Sequence, residues 1–420
     1  MQKDSFIDGF LSFLRAAVTP FHAVSAMSAQ LEAAGFTHLQ ESSGWRLQRG
    51  DKYYTTRNGS SLVAFVVGSE DACESGLRLF GAHTDSPCLK IKPSPELVRH
   101  GCLQLAVAPY GGVLLNPWFD RDLSIAGRVV YERADGRIAA VLTDFGRAVA
   151  SVPSLAIHLD KEANSKRTVN AQQHLPLVLA SATTSSTLDF RDLLAAELRR
   201  EHPDLPLRAV LDFDLSCYDT QPPARTGLNS EFVASARLDN LLSCFVGLRA
   251  LLEAPANVTS VLACNDHEEV GSRSAEGADG PMLQSVLHRL FDGREQLDRV
   301  LSRSLLISAD NAHALHPNYA DRHEANHGPG INRGPVIKIN DNQRYASNSE
   351  TSAIFRRLCA AEQVPVQTFV VRSDMGCGST IGPITAARLG IRTVDVGAPQ
   401  WAMHSIRETA GVDDVHALYR

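Results

Sequence analysis

An α/β fold class is predicted for this chain: a layered α/β domain interrupted by a β-rich insertion. After Arg237, helical and strand patterns alternate as far as Val396, the signature of a layered sheet. Between Ser94 and Val233, short alternating runs are broken by Gly111-Gly112 and Asp135-Gly136, which suits antiparallel hairpins. The chain has 420 residues, long for one core, so two domains are the natural division. Residues 1–93 and 234–420 are expected to form one discontinuous α/β domain, with 94–233 inserted into it.

The elements follow from local patterns. Phe6, Ile7, Phe10, Leu11, Phe13 and Leu14 recur near the helical period, and Pro20 closes that helix. Leu62–Val67 and Leu77–Ala82 are apolar enough for buried strands. Gln104–Val107, Gly127–Glu132 and Ile138–Thr143 read as hairpin strands, Ala195–Glu201 as a helix and Leu207–Leu215 as a strand. Beyond Arg237 come helix Leu241–Leu252, strand Val258–Cys264, helix Met282–Phe291 and strand Leu305–Ala309. Pro335–Ile339, Thr351–Ala361, Gln367–Val371, Thr380–Leu389 and Thr393–Val396 continue as strand, helix, strand, helix, strand. No internal repeat or low-complexity tract interrupts the series.

Composition narrows the function. Apolar content of 44% with 21% charged residues fits a soluble globular protein. A net charge of -6 argues against nucleic-acid binding, which usually needs a basic face. No run approaches the about 18 apolar residues that a membrane span requires. The N-terminal Met1–Asp8 carries acids and lacks an apolar core, so no signal peptide is expected and the location is expected to be cytoplasmic. Eight scattered cysteines without CxxC spacing make disulfides and a cysteine-rich zinc site unexpected.

The most informative stretch is Asp266-His267-Glu268-Glu269-Val270-Gly271-Ser272, at the end of an apolar strand. Adjacent carboxylates there cost stability unless a cation receives them. Ligand sites in open α/β sheets form at the carboxyl ends of strands. The acids and histidines just past predicted strands are His83, Asp85, Asp239, Glu268, Glu269 and Asp310, with His404 in the loop beyond Thr393–Val396. Two imidazoles and three carboxylates suit a pair of divalent ions with one carboxylate bridging. Nitrogen and oxygen donors without thiolate suit zinc, with manganese or cobalt as substitutes. Asp85 is placed to accept the second N–H of His83. Each residue alone has a plainer reading: a structural histidine at a strand end, Asp239 as a helix cap, Glu268-Glu269 as a solvated turn. Their coincidence at successive strand ends favours a metal centre.

Taken together, the segments Gly81–Pro87, Arg237–Leu241, Asp266–Ser272, Ser308–Asn318, Gly334–Lys338, Ser373–Thr380 and Met403–Glu408 resemble the M18 metallopeptidases, the aspartyl aminopeptidase family. They occur in the family's order along nearly the whole chain. The resemblance implies two zinc ions per subunit. His83, Asp310 and bridging Asp239 would hold one, and Glu269, His404 and the same Asp239 the other, with Glu268 as general base. It implies a catalytic domain with an inserted dimerisation domain, and a dimer-built dodecamer. The expected reaction is hydrolysis of peptides after an acidic N-terminal residue, Asp or Glu. Lys338 would face the acidic side chain, and His158 would reach substrate in a neighbouring subunit. His313, His316 and Cys377 are assigned to no metal. Gly376-Cys377-Gly378-Ser379 lacks the phosphate-loop pattern GxxxxGK[ST], and its glycines are expected to allow close backbone approach to substrate. The alternatives are another two-metal exopeptidase, M42-like or M20-like, and a catalytically silent oligomeric scaffold.

Overall fold

The structure, a computed structural model, describes residues 2–182 and 189–420, and all counts of elements refer to these. Met1 and residues 183–188, the latter within the expected insertion, lie outside the described residues. The chain divides into two compact units: residues 1–86, 223–403 and 408–420 form the first, and 87–222 with 404–407 form the second.

The first unit is built on a nine-stranded sheet. Its centre is four parallel strands in the order Ser260–Asn265, Arg78–His83, Leu305–Ala309 and Arg392–Gly397. These strands are apolar on both faces because helices cover the sheet, as expected for parallel strands. The helix Leu238–Leu252 is buried along most of its length against Phe6, Phe10, Leu62 and Leu262. On the other side Met282, Val286, Leu297 and Val300 pack over Phe65, Leu79 and Val261. Parallel register aligns Asn265 with His83 and Ala309 with Val396, so the carboxyl ends of the four strands share one edge. A second, five-stranded sheet contains Ala224–Thr226, Phe232–Ser235, Glu408–Gly411, Pro399–Trp401 and Ala312–His313.

The second unit is a six-stranded antiparallel sheet carrying the helix Phe190–Glu201. Phe190, Leu194 and Leu198 pack on Val210, Phe213 and Leu215, and Ile406 joins this core.

The chain changes unit at Ser86/Pro87 and Pro222/Pro223 instead of at 93/94 and 233/234. Pro93 and Pro95, at the expected boundary, lie inside a twelve-residue strand, Cys88–Arg99. Its pairing with Cys102–Tyr110 shifts register between Ile91 and Glu96, where proline cannot donate to the ladder. At the other boundary, strand Phe232–Ser235 resembles the insertion in texture yet pairs with Glu408–Gly411 of the first unit. Pro20, expected to end a helix, opens the next one, Pro20–Ala33, where Thr19 Oγ1 accepts from His22 N.

In the second unit Glu197 is buried, 6% exposed, and is held by Arg147 at 2.6 Å and by Arg200. The Arg147 hydrogen bonds, followed by those of Arg200, outweigh burial and hold its carboxyl down at about 2, below the usual 4.5. The folded-state value is depressed, so the stabilisation is complete above about 4.5 and is lost as pH falls toward about 2. Both arginines are half in water, which reduces the gain to about 1–2 kcal/mol. Glu197→Gln is expected to lower the urea unfolding midpoint at pH 7. The deficit relative to the parent chain should shrink between pH 4.5 and 2; a deficit constant across that range would contradict the assignment.

Candidate metal centre

The strand Arg78–His83 delivers His83 to the carboxyl edge of the sheet. Cys244 Sγ donates to the His83 carbonyl at 3.0 Å, and Thr84 Oγ1 donates to the carbonyl of Ser60 at 2.7 Å, fixing the chain just past the strand. His83 is 1% exposed, and its Nδ1 lies 3.1 Å from the main-chain oxygen of Asp85. An acceptor there makes Nδ1 the protonated nitrogen, which turns the lone pair of Nε2 toward the carboxylates. Nε2 lies 3.4 Å from Asp239 Oδ1, 3.8 Å from Asp310 Oδ1 and 4.0 Å from Glu268 Oε2.

The partner of the His83 ring is thus the Asp85 carbonyl, with the Asp85 carboxylate at 3.4 Å. That carboxylate is fully buried and has another task. Its Oδ1 accepts from Glu268 N and its Oδ2 from Glu269 N, both at 3.1 Å. After strand Ser260–Asn265 the backbone passes through a left-handed His267 (φ 65) into a single 3-10 turn, Glu268–Val270. Asp85 clamps the start of that turn and thereby aims both glutamates.

Asp239 sits at a kink where the chain enters the helix. Its backbone (φ -82, ψ 105) is non-helical, and regular helix begins after Asn240. Ser86 Oγ donates to the Asp239 carbonyl at 2.6 Å, and Asp239 N donates to Glu408 Oε2 at 3.0 Å. Asp310 follows strand Leu305–Ala309, and its N–H bonds Val396 O at 2.9 Å. A β-carbon on Gly397 would sit 1.9 Å from the Asp310 carbonyl, so only glycine allows this approach.

Two overlapping groups of donors result. Ligand atoms of His83, Asp239 and Asp310 lie within 4.8 Å of one another, as do those of His83, Glu268 and Glu269. Burial, reinforced by Asp310, Asp85 and Asp239 and opposed by His83, raises the Glu268 carboxyl to about 8. Burial followed by Asp239 pushes Glu269 well above its ordinary range. Burial opposes charge on His83 as well, but the carboxylates of Asp239, Asp310 and Asp85 hold its imidazolium well above the usual value. These displacements all favour the protonated forms, and a divalent ion among the carboxylates would take the place of those protons. The donor set, imidazole nitrogen and carboxylate oxygen without thiolate, fits zinc.

Lys338 is 2% exposed, with Nζ 3.4 Å from Asp310 Oδ2, 3.2 Å from Asn311 O and 5.1 Å from the Tyr345 ring centroid. The structure thus brings His83, Asp85, Asp239, Glu268, Glu269, Asp310 and Lys338 together in the first unit. His404 and His158 belong to the second unit. His404 has a left-handed backbone (φ 67), and its Nδ1 lies 3.1 Å from Gly112 O, which leaves Nε2 as the nitrogen with the lone pair. His158 is exposed in a turn between the exposed Ile157 and Leu159. A β-carbon on Gly376 or Gly378 would meet nothing within 4 Å, so packing does not demand glycine there. His313 stacks edge-on to Phe369, and His316 Nδ1 accepts from Asn318 N. A cavity of about 720 Å³ opens at the opposite, amino ends of the strands, lined by Arg78, Phe80 and Ser260; it holds none of the cluster.

Ser86, Tyr345, Gln400 and Glu408 were given no individual role from the sequence. Glu408 carried a signal: like Glu268, it is a carboxylate beside a buried strand, Glu408–Gly411.

Fold and site together define a metallohydrolase of the layered α/β class. Comparison with known proteins narrows this. The family pattern described as aminopeptidase I zinc metalloprotease (M18) matches residues 13–420, and the chain belongs to that M18 family. It is 58% identical over 418 residues to the probable M18 family aminopeptidase 2 of Ectopseudomonas mendocina (strain ymp), a match covering 100% of this chain and 97% of the relative. The corresponding protein of Stutzerimonas stutzeri (strain A1501) is likewise 58% identical, with the same coverage. Among solved structures, the Ape4 and Nbr1 complex contains a chain that superposes with a TM-score of 0.95 at 37% identity, covering 99% of this chain and 84% of that one. The S. cerevisiae mApe1 dodecamer gives 0.86 at 29% identity, covering 99% and 95%. Membership in M18 decides against the M42-like and M20-like alternatives. Among the described residues no helix is long and apolar enough to cross a membrane.

Asp85→Asn would place an amide N–H₂ against a main-chain N–H. Loss of an outer partner of this kind typically costs 10–100-fold in metal affinity or activity. Titration of the variant with zinc against a chromophoric chelator should show a loss of about that size; parent-like affinity would mean that Asp85 does not orient the turn.

Proposed function

We propose that this zinc aminopeptidase uses two zinc ions per subunit to release acidic N-terminal residues, Asp or Glu, from peptides. The observation that carries the reading is the convergence of His83, Asp239 and Asp310 with Glu268 and Glu269 on one buried edge. In this reading His83, Asp310 and bridging Asp239 hold one ion, and Glu269, His404 and Asp239 hold the other. Two features support the histidines: each has its Nδ1 on a carbonyl, leaving Nε2 for a metal. Manganese or cobalt would suit the same donors.

Zinc, when bound, supplies Lewis acidity, acidifying water and polarising the scissile carbonyl. The chain's own residues do the rest. Glu268 takes the proton of the attacking water and returns it to the leaving amine. Its value near 8 in the absence of cations would be drawn toward neutrality by a neighbouring positive ion, where one group can serve as base and then acid. Asp85 holds Glu268 and Glu269 through their main-chain N–H groups. Glu268→Gln is expected to keep its zinc and lose about 10²–10⁴-fold in turnover. A variant with full zinc and full turnover would sink this mechanism, and an inactive parent chain would favour the silent scaffold.

Lys338 is assigned to the acidic side chain of the substrate. Two of its three N–H directions serve Asp310 and Asn311, and the third would meet a substrate carboxylate. The ion pair with Asp310 also favours a second reading, in which Lys338 is only a counter-ion for the metal ligand. Lys338→Ala separates them. The specificity role predicts about a 10–100-fold loss on Asp- and Glu-aminoacyl chromogenic substrates, with Leu and Ala substrates little changed; the counter-ion role predicts equal loss on all four.

His158 is proposed to contact substrate bound to a neighbouring subunit, and the second unit to form the dimer contact. The exposed Ile157 and Leu159 around it are consistent with burial against another copy. The dodecamer of the S. cerevisiae relative is the proposed assembly, and the cytoplasm the proposed location.

A further inference from the structure

A buried chain of hydrogen bonds connects the two flanks of the cluster. Glu408 Oε2 accepts from Asp239 N at 3.0 Å. Glu408 Oε1 accepts from Gln400 Nε2 at 3.5 Å, the longest link, and Gln400 Oε1 accepts from Asn311 Nδ2 at 2.7 Å. Asn311 O accepts from Lys338 Nζ at 3.2 Å, and Lys338 closes on Asp310 at 3.4 Å. Glu408, Gln400, Asn311, Asp239 and Lys338 are each 1–3% exposed, so water does not compete for these bonds.

The polarity of the chain has one source. An ionised carboxylate only accepts, so Gln400 must turn its N–H₂ toward Glu408 and its oxygen toward Asn311. Asn311 must then present its own N–H₂ to Gln400, and its Oδ1 is left as a buried acceptor without a hydrogen-bond partner among the described residues. One charge at Glu408 thereby sets the sense of two amides in succession. It also holds the main chain of Asp239 directly, and the carbonyl that receives Lys338 through its neighbours.

We propose that Glu408 is a positioning residue for the metal centre. Its carboxylate holds Asp239 in place as a ligand, while Gln400 and Asn311 carry its influence to Lys338. This rests on the proposed roles of Asp239 and Lys338. In this role Glu408 and Gln400 act on different steps: Glu408 governs metal affinity, and Gln400 governs substrate discrimination.

The test uses the full-length chain carrying Glu408→Gln or, separately, Gln400→Met, which breaks the relay but keeps the Glu408–Asp239 bond. Zinc affinity is measured by chelator competition, and kcat and KM are measured on Asp- and Leu-aminoacyl substrates. The expected results are a zinc Kd raised at least tenfold by Glu408→Gln, and for Gln400→Met a zinc Kd within threefold of the parent. Gln400→Met should also narrow the preference for Asp over Leu at least fivefold, through the KM of the acidic substrate. A folded Glu408→Gln with a zinc Kd within twofold of the parent overturns the proposal. So does a Gln400→Met that loses the same factor on both substrates. Should Glu408→Gln not fold, the two Gln400→Met readouts decide. A parent chain with no preference for Asp would defeat the acidic-substrate reading, and the zinc titrations would still decide the role of Glu408.

Discussion

The carboxylates of Asp85, Asp239, Glu268, Glu269 and Asp310 converge on one buried imidazole, and the surrounding structure answers the repulsion this creates. Asp85, Asp239 and Asp310 are 0%, 3% and 8% exposed, so water screens them weakly. Some of the charge is met inside the protein: Asp85 accepts two main-chain N–H groups, and Asp310 faces Lys338. The remainder appears as the upward displacement of Glu268 and Glu269 by burial and by neighbouring carboxylates. A divalent cation bound among these groups would offset that cost, which accords with the chain's membership in a zinc family.

The scaffold places these groups by ending strands at one edge and anchoring the turns and loops beyond them. Parallel register brings His83 level with Asn265, just before the Glu268–Glu269 turn. Gly397 gives up its side chain so that Asp310 can approach. On the Lys338 side, the fully buried Asp395 accepts from Ser308 Oγ at 2.6 Å, Thr380 Oγ1 at 2.7 Å and Ala346 N at 2.6 Å. It ties the loops before helices Ser349–Ala361 and Ile381–Leu389 to the central sheet. Hydrogen-bonded carboxylates thus serve as fasteners at Asp85, Asp395 and Glu408.

Strand ends were legible because an apolar run followed by acid or histidine is a conflict that sequence alone exposes. That conflict identified His83, Glu268, Glu269 and Asp310 as candidates, and the parallel sheet places them on one edge. The features that stayed hidden depend on partners distant in sequence. Nothing near Asp85 shows that its carboxylate also serves the turn 183 residues later, beside the neighbouring imidazole. Lys338 reads as a strand-edge cation, yet a salt bridge to a residue 28 positions earlier draws it inside. Proline misled at Pro20, because a residue that ends one element can equally begin another.

Under the proposed reading, metal binding and specificity are coupled through Asp310. In the absence of cations Asp310 Oδ2 lies 3.4 Å from Lys338, and a second carboxylate arriving from substrate must share that ammonium with it. If Asp310 held a zinc ion, its carboxylate would hold Lys338 less strongly, and the ammonium would turn more readily to a substrate Asp or Glu. The other contacts of Lys338 are the Asn311 carbonyl and the Tyr345 ring face, both neutral, with the buried Asp395 carboxylate near enough to feel its charge. The cation that binds the acidic side chain would then be released by the event that makes the site catalytic, and an acidic peptide would bind best to a chain already loaded with metal.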